Sequence, residues 1–136
     1  MIARMADLSP ISEQDVYRFI FERIDSVPHL EALSLIWTSR PQHWSADDLA
    51  HRLYVDRNTA LTLLQDLTRQ GLLVIDSDSR EQYFYESKSE ESDRLVAAVC
   101  AKYRVEIVAV STMIHRKASS AVRNFADAFR FKKERE

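Results

Sequence analysis

Apolar positions recur at helical spacing in six stretches of the chain and run together in two short ones, and polar breaks separate them. Ser12 to Asp15 forms a capping box in which the hydroxyl takes the amide three residues on and the carboxylate reaches back, with Ile11 and Val16 as the flanking staple. A helix is therefore predicted from Glu13, carrying Val16, Phe19, Ile20 and Ile24 on one face. Asp25-Ser26-Val27-Pro28 breaks it, and proline at the start of a new helix predicts a second one from Pro28 to about Ser39, with Leu30, Leu33, Leu35, Ile36 and Trp37. Arg40-Pro41-Gln42-His43 ends that helix. Residues 1 to 10 lack periodicity.

Trp44 to Tyr85 is the organising stretch. Ser45 and Asp48 repeat the capping box, stapled by Trp44 and Leu49, and a short helix follows up to a tight turn at Tyr54 and Val55. Asp56 caps the next helix, which runs to Gly71, the single glycine of the chain and a natural left-handed C-cap. Leu72 to Ile75 and Gln82 to Tyr85 read as two strands, joined by an Asp- and Ser-rich tip from Asp76 to Glu81. Helix, turn, helix and hairpin in this order predict a winged helix-turn-helix. The residues Ser45-Ala-Asp-Asp-Leu-Ala-His-Arg-Leu, Thr59-Ala-Leu-Thr-Leu-Leu-Gln-Asp-Leu and Arg69-Gln-Gly-Leu-Leu resemble those of bacterial winged helix-turn-helix transcriptional regulators of the broad MarR or PadR kind, over about residues 28–86. The resemblance implies double-stranded DNA as partner.

After a polar linker, Glu86 to Ser89, one long helix is predicted from near Glu90. Its stripe is Leu95, Val96, Val99, Tyr103, Ile107, Val110, Met113 and Ile114. Roughly 25 residues at 1.5 Å each reach about 37 Å, more than a domain of this size is wide. Such a stripe calls for a second surface, and a twofold homodimer sealed by Leu95, Val99, Tyr103, Ile107, Val110 and Ile114 is the economical answer; folding back over its own domain is the alternative. Ala118-Ser119-Ser120 interrupts the pattern. Ala121 to about Phe131 restarts it as a short basic amphipathic helix with Val122, Phe125, Ala126 and Phe129 on one side. The expected fold is mainly α with a small β-hairpin. Residues 1–27 would hold an N-terminal helix, 28–88 the winged helix-turn-helix domain, and 89–136 a helical dimerisation and interaction segment.

Charge complicates this picture. Residues 1–114 hold 12 Lys and Arg against 18 Asp and Glu, a net of −6, whereas residues 115–136 hold 7 against 3, a net of +4. An acidic winged helix attracts phosphates poorly. The rival expectation is accordingly a protein-recognition module whose basic C-terminal helix contacts a protein partner or a membrane surface. No stretch reads as an integral membrane segment, because the most apolar long window contains Lys102, Arg104 and Glu106. Nor does the N-terminus read as a secretory signal, and the lone Cys100 leaves no internal disulfide, so a cytoplasmic protein is expected.

On the helix from Asp56, the inward positions are Ala60, Leu61, Leu63, Leu64 and Leu67. The outward set, Arg57, Asn58, Thr59, Thr62, Gln65 and Arg69, suits base edges: Asn and Gln pair bidentately with adenine, Arg with guanine, and a Thr methyl meets that of thymine. Arg80 at the wing tip is placed to enter a minor groove. Asp66 beside this face is an objection, since it repels phosphate. The same face is also what any solvated helix presents. His29, His43, His51 and His115 are scattered, no glycine-rich phosphate loop exists, and no base is placed to activate Cys100, so neither catalytic residue, metal site nor cofactor is expected. Trp37, Trp44 and Tyr54 are expected to pack in the core.

Overall fold

A computed structural model describes residues 10–119. The basic helix expected from Ala121 to about Phe131 lies outside the described residues, as do residues 1–9. The elements run α1 (Glu13–Arg23), α2 (Val27–Thr38), β1 (Trp44–Ser45), α3 (Ala46–Leu53), α4 (Arg57–Arg69), β2 (Val74–Ile75), β3 (Gln82–Phe84) and α5 (Glu90–Val105), followed by a helix over residues 107–119, here α6. Helices α2, α3 and α4 with the small antiparallel sheet make a winged helix-turn-helix.

Local chemistry sets the boundaries. Ser12 and Ser45 complete both capping boxes, Ser26 caps α2, and Asp56 accepts the Thr59 amide at 3.0 Å to start α4. At its other end α4 closes in a Schellman turn. Gly71 sits at φ +75°, its amide reaches the Thr68 carbonyl and the Leu72 amide the Leu67 carbonyl, both at 2.9 Å. The Arg23 guanidinium of α1 donates to the Gln70 carbonyl, which satisfies another of the acceptors left at a helix C-terminus. In this way α1 fastens the helix that carries the outward polar face.

The predicted two-stranded ribbon is a three-stranded sheet of order β1-β3-β2. Trp44 pairs with Tyr83 and Ser45 with Gln82, while Val74 pairs with Phe84. Two residues carry no periodicity, and those of β1 are also the staple and cap of α3, so no pattern marks them as a strand. Asp76 then shapes the wing tip by accepting the amides of Asp78 and Ser79 at 2.9 and 3.2 Å. His43, stacked on Phe84 at 4.3 Å, holds the other Asp76 oxygen at 2.9 Å.

The single long helix expected from Glu90 is broken. At Glu106 the backbone leaves helical geometry (φ −123°, ψ 52°), and the Glu106 carbonyl at once accepts the Val110 amide to begin α6. β-Branched residues crowd this point: Val105, Ile107, Val108 and Val110 all lose side-chain freedom in a helix, which weakens it there. The break lets α6 fold back along the chain's own domain. Lys117 donates to the Ile24 carbonyl at 2.9 Å, lies 3.6 Å from the Asp25 carboxylate, and covers the Phe21 ring.

That return decides the fate of the apolar stripe. Val96, Val99, Tyr103, Val110 and Ile114 are buried in one continuous core with Ile20, Ile24, Leu30, Leu33, Ile36, Leu64 and Leu67. Of the residues expected to seal a dimer, Val99, Tyr103, Val110 and Ile114 are thus already covered within the chain. Leu95 is half-buried and Ile107 is 51% exposed. A helix too long for its domain would need a second surface; a helix bent at Glu106 finds that surface in its own core.

Candidate nucleic-acid interface

Helix α4 turns Ala60, Leu63, Leu64 and Leu67 into the core, leaving Leu61 half-buried. On the far side Arg57, Asn58, Thr59, Thr62, Gln65 and Arg69 line the polar face, and no described residue covers it. The structure brings these six expected residues together on one helix. Arg80 is exposed at the end of the wing and has no hydrogen bond or ion pair among the described residues. An open groove runs beside the face, lined by Pro28, His29, Asn58, Thr59, Thr62 and Leu63.

Asp66, the acidic objection, is largely covered and is shared between α2 and this face. Its side chain is only 19% exposed, and one oxygen lies 2.8 Å from the His29 Nε2 atom while the other pairs with Arg69. Burial holds the His29 imidazole below its ordinary pKa; Asp25 draws it partly back up and Lys117 adds to the depression. A neutral ring can donate from Nε2 to Asp66 while Nδ1 accepts from the Ser26 hydroxyl. Ser, His and Asp in a row suggest a nucleophile and its base. Here the serine oxygen also accepts the His29 amide as the N-cap of α2, so the chain serves as a tie between α2 and α4.

Two of the cations on the face have acidic partners. Arg57 lies 3.1 Å from Asp47 on α3, and Arg69 is held by Asp66. The Arg57 pair is well exposed, and such pairs contribute roughly 0 to 1 kcal/mol, so a phosphate can displace the carboxylate at little cost. Even so, residues 44–85 hold 4 Arg and no Lys against 7 Asp and Glu, a net of −3. The electrostatic attraction of this face is weak.

Cys100 is buried, and burial pushes its thiol up to about 11, far from a reactive thiolate. Trp44 is buried and Trp37 half-buried against Tyr85, edge to face at 4.8 Å, as expected of core aromatics. Tyr54 is not: its side chain is 94% exposed. It ends α3 in the left-handed region (φ 57°, ψ 44°), on the side of that helix that carries the exposed Asp47 and His51. A turn that needs positive φ is ordinarily marked by glycine or asparagine, and tyrosine hides that signal.

No protein-family model matches the chain. No curated protein matches it. Among solved structures, one described as a mutant of MepR from a multidrug resistant S. aureus clinical isolate aligns with a TM-score of 0.45 and 17% identity, covering 94% of this chain and 92% of that one.

Proposed function

We propose that this protein is a cytoplasmic, non-enzymatic regulator of transcription that binds double-stranded DNA as a homodimer, with α4 in the major groove and the β2–β3 wing beside it. The observation that carries this reading is the uncovered polar side of α4, where Asn58, Thr62, Gln65 and Arg69 stand on a helix capped at both ends. A helix-turn-helix reads bases with the exposed side of its second helix, and these residue types are those that pair with base edges. The Asp66 carboxylate beside it is engaged by His29 on one oxygen and by Arg69 on the other. Arg57, Thr59 and Arg80 are assigned to the first turn and the wing, where phosphate and minor-groove contacts fall.

For the homodimer, Val105, Ile107 and Val108 supply the seam. They are 82, 51 and 76% exposed and adjoin one another at the α5–α6 break. A cluster of exposed aliphatic residues is costly in water and marks a contact surface. Of the six residues expected to seal the dimer, Leu95 and Ile107 are the two that the chain's own core leaves incompletely covered.

The net acidity of residues 44–85 favours a second reading, a winged helix that recognises protein, with the basic residues from Arg116 to Arg135 contacting a protein partner or a membrane surface. Among the described residues no helix is long and apolar enough to cross a membrane. Gel retardation of genomic DNA fragments over a salt series separates the two. DNA binding predicts retardation at low salt, a steep loss of affinity as salt rises, and abolition by Arg69→Glu. No retardation at low salt, or indifference to Arg69→Glu, refutes the DNA reading and leaves protein recognition.

A further inference from the structure

The chain forms two left-handed turns at helix C-termini and treats them differently. After α4 the position is Gly71; after α3 it is Tyr54, the one non-glycine residue with positive φ among the described residues. Both turns close in the same way, since the Val55 amide reaches back to the Ala50 carbonyl at 3.1 Å as the Leu72 amide does to Leu67. Glycine at position 54 would satisfy the same backbone with less strain. The ring returns nothing to the fold, because it is almost wholly in solvent and its hydroxyl has no partner among the described residues. A bulky side chain at a strained, exposed position points to a role outside the fold.

The location narrows that role. Asp47, His51 and Tyr54 follow one another at helical spacing along α3 and line a common surface depression with Ala50 and Val55. Asp47 reaches Arg57 in the first turn of α4. Tyr54 therefore stands at the corner where α3 meets the N-terminal end of α4. In a helix-turn-helix docked on a duplex, the first helix crosses the sugar-phosphate backbone while the start of the second meets the bases. Tyrosine hydroxyls are among the groups that position a protein by hydrogen bonding to phosphate.

We propose that Tyr54 grips the backbone of the duplex, its phenol O–H donating to a phosphate oxygen while α4 occupies the major groove. This rests on the DNA reading given above. The contact is sequence-independent and sets the docking angle of α4. Because phenol is uncharged, it adds affinity without adding to the number of counterions released.

The test compares the full-length wild type with Tyr54→Phe and Tyr54→Gly, using fluorescence anisotropy with a labelled mixed-sequence duplex over a salt series and thermal melts of each protein. Tyr54→Phe is expected to weaken binding about tenfold, the value of one hydrogen bond to a charged oxygen, with the slope of log affinity against log salt unchanged. Tyr54→Gly is expected to bind at least as weakly and yet to melt about 4 °C higher, because the strain is relieved. Wild-type binding matched by Tyr54→Phe to within about twofold overturns the phosphate contact and leaves the DNA reading standing. A Tyr54→Gly protein that melts lower overturns the claim that the ring serves nothing in the fold. Failure of the wild type itself to bind at low salt removes the DNA reading, and this inference with it.

Discussion

Ile114 lies on α6, 1% exposed, on the segment that the break at Glu106 sends back over the domain. Replacing it with alanine removes three carbons from the core. At about 0.8 kcal/mol for each buried carbon the transfer loss is about 2.4 kcal/mol. An unfilled cavity adds to this, and measured costs for such truncations run from about 2 to 5 kcal/mol, so about 3 kcal/mol is expected. Against a total stability of roughly 5 to 15 kcal/mol this is a large fraction. Thr112→Ala is the matched control. Thr112 is exposed on the same helix and lies outside the proposed seam, so its replacement should stay within about 0.5 kcal/mol. Urea unfolding followed by circular dichroism, at two protein concentrations an order of magnitude apart, measures both. The expected result is a large drop in midpoint for Ile114→Ala that is the same at both concentrations, since the lost contacts are within one chain. Equal midpoints for Ile114→Ala and wild type would refute the folded-back α6. So would a loss that deepens on dilution, because contacts between copies obey mass action and contacts within a chain do not.

Two further outcomes follow from the same geometry. If Val105, Ile107 and Val108 form the homodimer seam, Val108→Glu should halve the mass seen by light scattering without lowering the thermal midpoint of the monomer; an unchanged mass places the seam elsewhere. His29 should also leave a signature in pH. Its folded pKa is depressed chiefly by burial, so below the unfolded value of about 6.5 the unfolded chain holds more protons; its contribution is complete above that pH and declines as pH falls towards the folded value. Thermal midpoints between about pH 7 and 5 should therefore fall more steeply for wild type than for His29→Gln, in a range above the carboxylates Asp15, Asp56 and Asp76, which are held low by their hydrogen bonds. Parallel slopes would remove His29 as the cause.

Much of the architecture is local and therefore legible without coordinates. Capping serines at 12 and 45, Asp56 and Gly71 each act on their immediate neighbours, and the helical spacing of Leu63, Leu64 and Leu67 names the buried side of α4 and hence its outward residues. Those signals work because a helix end or face is decided by short-range hydrogen bonds and by period. Other features depend on what arrives from far along the chain. Strand β1 exists because β3, on the other side of the helix-turn-helix in sequence, presents Tyr83 and Gln82 to it. Asp66 is tied to α2 because His29 reaches it from there, and Arg23 closes the end of α4 from α1. The same holds for the stripe from Leu95 to Ile114. Its period announced a buried face, but period is blind to which surface does the burying; a departure from helical geometry at Glu106 brought Val110 and Ile114 back into the same core as Val99 and Tyr103.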